Sequence, residues 1–245
     1  MERVTRIELA LSAWEADVLP LNYTRERSRQ YRTHTRQVIP DPYDGFPPGF
    51  FDRADDSPDG VFYAPPRLVT HIDDRAIAAV GALYTELGLT GRVLDLMSSW
   101  VSHFEQPPAE LVVLGMNAAE LEANPVATER VVHDLNVDPR IPLPDADVDA
   151  VVCCVSVDYL TRPIEVLAEA ARVLRPGGTL AVTFSNRCFP SKAVRGWLGT
   201  PDEQHGPLVA ELVRRAGGFG EATVALRTPP GRRGDPLWAV TAVRS

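Results

Sequence analysis

Side chains able to move a proton near neutral pH are few in this chain, which has five histidines in 245 residues. His71 and His103 are the general-base candidates, because imidazole titrates near neutrality and can take a proton from a hydroxyl or an amine. Each sits in a chemistry-rich segment. FYAPPRLVTHIDD carries Tyr63, Arg67, His71, Asp73 and Asp74, and SSWVSHF carries Ser98, Ser99, Trp100, Ser102 and His103. Tyr159, in CVSVDYL, is the third catalytic candidate. A metal site built from His71, Asp73, His103 and His133 has no HxxxH or CxxC spacing behind it, so no metal is expected. Cys153 and Cys154 are adjacent in an apolar run with no nearby cation to depress a thiol pKa. Lys192 is the only lysine and lies in a polar loop, which leaves Schiff-base chemistry one poor candidate.

These residues need elements to position them, and the pattern from Arg92 onward supplies those elements. Short β-rich runs, RVLDLM, ELVVLGM, RVVHDLN, DAVVCCVSV and TLAVTFSN, alternate with helical or loop segments. Such alternation predicts an α/β fold, a doubly wound, mostly parallel sheet covered on both faces. A helix with Asp73 or Asp74 at its N-cap and Gly88 as its stop precedes the first strand. Asn117 and Glu120 have the spacing of a capping box, and Thr161 is expected to cap PIEVLAEAARVLR, ending at Pro176-Gly177-Gly178. ATVALRT and PLWAVTAVR, separated by a turn, should pair antiparallel. In such a sheet a ligand binds beyond the carboxyl ends of the strands, where strand order reverses. Asp95, the end of ELVVLGMN, Asp134-Leu135 and the end of DAVVCCVSVDY all fall on that edge.

Ahead of the sheet, residues 1–66 read as a helical and proline- and aromatic-rich cap and residues 67–245 as the sheet domain. Val4, Ile7, Leu11, Trp14 and Val18 mark one helix face, and Arg25 to Arg36 form a basic stretch. Seven of the 22 prolines lie between Pro40 and Pro66, with Phe46, Phe50, Phe51, Phe62 and Tyr63 as anchors of an ordered wrap. A net charge of −8 gives no field for nucleic acid or an anionic membrane surface. The N-terminus lacks a signal-peptide pattern, and no apolar run approaches about 18 residues. Three cysteines fit reduced core thiols in a cytoplasmic protein.

IPLPDADVDAVVCCVSVDYL followed by EVLAEAARVLRPGGTLAVTFSN resembles the class I S-adenosylmethionine-dependent methyltransferases, especially the broad small-molecule group, over roughly residues 66–245. The resemblance implies a seven-stranded Rossmann-like sheet with a final antiparallel hairpin. It implies S-adenosylmethionine as cofactor and a small-molecule acceptor as substrate; the oligomeric state is left open by the sequence, with a homodimer as one option. Asp134 would accept from the adenine amino group, Leu135 would lie near the ring, and the backbone beyond Asp95 would approach the methionine part. Tyr63, Arg67, Met97, Ser98, Ser99, Asn117 and Val155 complete the expected cofactor contacts. Arg67 could hold the methionine carboxylate, or be a surface residue pairing with Asp73 or Asp74.

Two departures stand out. The family follows the first strand's Asp with a glycine-rich turn, where missing Cβ atoms let backbone and cofactor approach. Here Asp95-Leu96-Met97-Ser98-Ser99-Trp100-Val101 has no glycine, and none occurs from Arg92 through Leu114. The family also ends its second strand in an acid that holds the ribose hydroxyls; Gly115 stands there, with Asn117 as a neutral substitute. Three readings follow: a methyltransferase using serine hydroxyls in its loop, an enzyme on the same fold with other chemistry, or a non-catalytic partner subunit.

Overall fold

The computed structural model describes residues 41–228 and 234–245. The helix expected over residues 2–19 and the Arg25–Arg36 stretch lie outside them. Chain contacts divide the protein into Met1–Pro48 and Gly49–Ser245, and the fold described here is that of the second unit.

One sheet holds seven strands: β1 (Arg92–Leu96), β2 (Glu110–Gly115), β3 (Glu129–Val132), β4 (Val148–Cys154), β5 (Leu174–Phe184), β6 (Thr223–Leu226) and β7 (Trp238–Val243). Their order is β3-β2-β1-β4-β5-β7-β6, parallel except for β7, which runs antiparallel to both β5 and β6. This is the expected doubly wound, mostly parallel seven-stranded sheet with its closing hairpin. Burial explains the composition of the middle strands. Val93 and Leu94 in β1 and Leu111 to Leu114 in β2 have no exposed surface, because helices cover both faces and no polar alternation is tolerated.

The helices are α1 (Asp59–Phe62), α2 (Asp74–Glu86), α3 (Ala118–Ala123), α4 (Pro163–Val173), α5 (Arg195–Leu198) and α6 (Asp202–Ala216). Asp73 caps α2 by accepting from the Ala76 amide at 2.9 Å. The same carboxylate accepts from the Asp235 amide, and Asp235 returns the bond to the Asp73 amide, which ties α2 to the chain entering β7. Gly88 ends the turn with φ +65°, a conformation strained for other residues.

Two local expectations are corrected. Thr161 does not cap α4; its amide and hydroxyl bond Asn136 Oδ1 at 2.8 and 3.1 Å, and Pro163 opens the helix instead. That helix stops at Val173, ahead of the Pro-Gly-Gly, and β5 begins at once. The pairing of β4 with β5 skips from Val148–Leu174 to Ala150–Thr179. The Pro176-Gly177-Gly178 run is therefore an outward loop of the strand. Gly178 packs where a Cβ would meet the Asp149 carbonyl at 2.9 Å.

Candidate functional site

Beyond the carboxyl ends of β1 to β4 lies a cavity of about 320 Å³. All thirteen residues singled out from the sequence line it, although they come from segments up to 96 positions apart, Tyr63 to Tyr159. The sheet topology accounts for this, since strand order reverses between β1 and β4 and leaves a crevice there.

The loop leaving β1 keeps its shape by side-chain bonding in place of glycines. Met97 takes φ 54°, a left-handed conformation that costs an L-residue about 1–2 kcal/mol. Ser98 donates its hydroxyl to Asp95 Oδ2 at 2.7 Å, and Ser102 also bonds that carboxyl. Asn124, fully buried, donates to the Ser99 carbonyl at 3.0 Å and to Ser102 Oγ at 2.8 Å. Asp95 itself is buried, and loss of hydration raises its pKa to about 6, against the pull of the two serines. His103 follows with φ 51° and a pKa lowered by burial, so its ring faces the cavity uncharged at neutral pH.

At the end of β2 the structure departs from the sequence expectation. A Cβ on Gly115 would fall 2.2 Å from the Ser98 carbonyl oxygen. Glycine is therefore required here by the loop next door. Asn117 is committed to structure: its Oδ1 accepts from the Glu120 amide and its Nδ2 donates to the Tyr63 and Ala64 carbonyls at 2.8 and 3.1 Å. The carboxylate in this place is that of Glu120, one α-helical turn on. It accepts from Ser99 Oγ at 2.6 Å and from the Arg67 amide at 2.6 Å, so the capping box is only half made. Glu120 has the spacing of a cap, and that local reading concealed its place in the cavity.

At the third strand end, Asp134 Oδ1 accepts from the Asn136 amide at 2.9 Å and the Val137 amide at 3.3 Å, an Asx turn that fixes the carboxylate. Leu135 beside it is buried. Val155, leaving β4, has φ 46° and donates its amide to the Thr183 carbonyl at 2.8 Å. Cys154 lines the same wall, with its thiol pushed up to about 12 by burial.

The remaining wall is aromatic and basic. Arg67 stacks over Phe62 at 4.6 Å and lies 5.5 Å from Phe189 and 5.7 Å from Tyr63. Its Nη2 donates to the Phe62 carbonyl at 2.9 Å, and its Nη1 is buried without a partner. Asp73 and Asp74 are not its partners. His71 sets its ring edge-on to Phe189 at 5.2 Å. Partial burial of the imidazole, helped by the Arg67 charge and opposed by Glu120, lowers its pKa. The Tyr159 hydroxyl accepts from the Phe189 amide at 2.9 Å, and burial raises its pKa, so it keeps its proton. Beneath this wall Arg53 Nη1 donates to both oxygens of Asp59 at 2.7 Å, and Asn136 and Lys192 also bond that carboxylate. Asp59, Phe189 and Arg187 carried no sequence signal, since only tertiary contact joins residues so far apart.

Among the described residues no cluster of three His, Cys, Asp or Glu could hold a metal ion. None of the described helices is long and apolar enough to cross a membrane. Three carboxylates line the cavity, Asp95 on β1, Glu120 in the first turn of α3 and Asp134 after β3, and each can accept from an ammonium, hydroxyl or amine hydrogen.

Residues 90–182 match the family model described as a methyltransferase domain. No curated protein matches the chain in sequence. Among solved structures, an S-adenosylmethionine-dependent methyltransferase from Archaeoglobus fulgidus superposes with a TM-score of 0.52 at 14% identity, covering 70% of this chain and 95% of that one. The [4+2]-cyclase SpnF superposes with a TM-score of 0.51 at 16% identity, covering 75% and 90%. At those identities the two structures speak to fold alone. With the strand order and the cavity, the match over residues 90–182 makes this part of the chain similar to the methyltransferase domain family, and the sheet has that fold with a loop after the first strand that contains no glycine.

Proposed function

We propose that the protein is a methyltransferase that uses S-adenosylmethionine to modify a small-molecule acceptor. The observation that carries this reading is the convergence of Asp95, Glu120 and Asp134 with two uncharged imidazoles on one cavity. When bound, the cofactor supplies a methyl carbon to which an acceptor lone pair forms a bond as the carbon–sulfur bond breaks. Asp95, Ser98 and Ser99 hold its amino-acid end, Glu120 accepts from the sugar hydroxyls, and Asp134 with Leu135 receives the purine. Met97 and Val155 shape the walls on either side.

His71 takes the proton that the acceptor gives up, because it lies on the aromatic side and is neutral at pH 7. His103 is the base next in line. Tyr159 holds the Phe189 loop and presents a hydroxyl that retains its proton. Alignment and exclusion of water do most of the work, since the reaction creates no net charge and only moves it from the sulfonium to the imidazole that takes the proton. Three free cysteines support a reducing, cytoplasmic setting.

Calorimetry with S-adenosylhomocysteine tests the reading. Binding in the micromolar range is expected, and absence of heat together with an unchanged melting temperature at millimolar ligand would sink it. The glycine-free loop favours one second reading, chemistry on this fold without methyl transfer. Bound cofactor with no transfer to any acceptor in a broad panel would select it.

A further inference from the structure

Arg67 differs from the other partly buried arginines around the cavity. Arg53 is paired with Asp59, its Nη1 donating to both carboxylate oxygens, whereas Arg67 has no ion pair among the described residues. Taking a guanidinium out of water without a counter-ion is costly, and hydrogen bonding to one carbonyl leaves most of its donors unused. Nη1 is the donor left over, buried and without a partner. Three aromatic rings surround the group and leave no protein carboxylate to fill its fork.

We propose that Arg67 is the recognition group for a carboxylate on the methyl acceptor, and that the acceptor is an aromatic or similarly flat acid seated against Phe189. The inference rests on the transfer reading above and names the class of its substrate. Two placements favour the acceptor over the cofactor as its ligand, and the test below distinguishes them. The Arg67 main chain is fixed against the first turn of α3, where its backbone N–H donates a hydrogen bond to the Glu120 carboxylate at 2.6 Å. Its side chain reaches away to Phe62 and Phe189, the latter following β5 and packed on Tyr159 and His71. The carboxylate site and the candidate base thus share one ring. Arg187 lines the same cavity but is ion-paired with Asp235 at 2.7 Å, which leaves Arg67 as the unpaired guanidinium of that wall among the described residues.

The test uses the full chain saturated with S-adenosylhomocysteine and titrated with 4-hydroxybenzoate, 4-aminobenzoate and 4-hydroxycinnamate, each beside its primary amide. At least one acid should bind about tenfold or more tightly than its amide, the usual weight of a charge-assisted bidentate pair. Arg67→Gln should erase that preference, and Arg67→Lys, which keeps the charge but not the fork, should retain part of it. Equal binding of acids and amides across the panel overturns the proposal. So does an Arg67→Gln protein that loses S-adenosylhomocysteine about tenfold yet binds 5′-methylthioadenosine as before, since that pattern assigns the guanidinium to the cofactor's carboxylate. If wild-type protein binds no S-adenosylhomocysteine, the transfer reading falls. The acid-against-amide comparison on the unliganded chain then decides this inference by itself.

Discussion

Ser99 donates its hydroxyl to Glu120 at 2.6 Å, joining the loop after β1 to the first turn of α3. Through this bond a loop without glycine gains a fixed carboxylate where the superfamily's second strand usually carries its own. Glu120→Ala removes acceptors for both Ser99 and the Arg67 amide, and hydrogen bonds to charged groups are worth about 1.5–3 kcal/mol. S-Adenosylhomocysteine affinity should fall by about tenfold or more, with a smaller fall for Glu120→Gln. Calorimetry on both variants checks this; unchanged affinity in the alanine variant removes Glu120 from the site.

Gly115→Ala places a methyl 2.2 Å from the Ser98 carbonyl oxygen. Backbone stands on both sides of that contact, so the loop itself has to shift. Overpacking of this kind costs about 1–3 kcal/mol, and the displaced Ser98 and Ser99 should weaken cofactor binding as well. Urea unfolding and ligand titration would show both losses together, whereas a stability loss alone would mean that the loop geometry does not govern binding.

Asp95 gives a pH signature whose sign is opposite to that of a salt-bridged carboxylate. Its pKa in the folded protein is about 6, above the ordinary 3.8, because burial penalises the charged form. Between those values the folded state holds a proton that the unfolded chain has released. The group's stabilising contribution is therefore complete below about pH 4 and is lost as pH rises through about 6, reaching a cost of order 3 kcal/mol by pH 8. Asp95→Asn should raise the melting temperature over wild type at pH 8 and give no such gain at pH 4. A pH-independent difference between the two proteins would contradict this account.

His71 and His103 both have lowered pKa values, so neither needs to lose a proton at pH 7 to act as a base. Transfer should rise with pH along a limb centred below the ordinary histidine value of 6.5 and be flat by about pH 7.5. His71→Ala should lower turnover about 100-fold and abolish the limb, with cofactor binding kept. If the limb survives in His71→Ala and vanishes in His103→Ala, the base is His103.

Lys192, the only lysine, is fully buried and contacts Asp55 at 3.1 Å and Asp59 at 3.2 Å while donating to the Ser57 carbonyl at 2.7 Å. Lys192→Met leaves the carboxylates of this network short of one cation, and breaking a buried pair costs about 3–5 kcal/mol. Chemical denaturation should show a loss of that size. A near-neutral result would mean that Arg53 and Asn136 suffice to hold Asp59.

The hydrophobic pattern and the order of elements are enough to specify the sheet. Unbroken apolar runs can be satisfied only in strands covered on both faces, and the order of elements then directs the strand ends to one edge, so all thirteen candidate residues meet on one cavity. The sequence also specified Asp73 as one of two possible caps and the closing hairpin. Tertiary structure decided what each polar group does there. Asn117 is spent on the Tyr63 and Ala64 carbonyls, and Gly115 yields space to the Ser98 carbonyl. Glu120 turns from a cap into a site carboxylate, and Arg67 stacks on an aromatic wall while Asp73 caps α2. The physical reason is common to all four. Periodicity and capping are short-range properties that adjacent residues encode together. The partner of a buried donor or charge, by contrast, is chosen by whichever distant segment packs against it, as Phe189 and Lys192 do here.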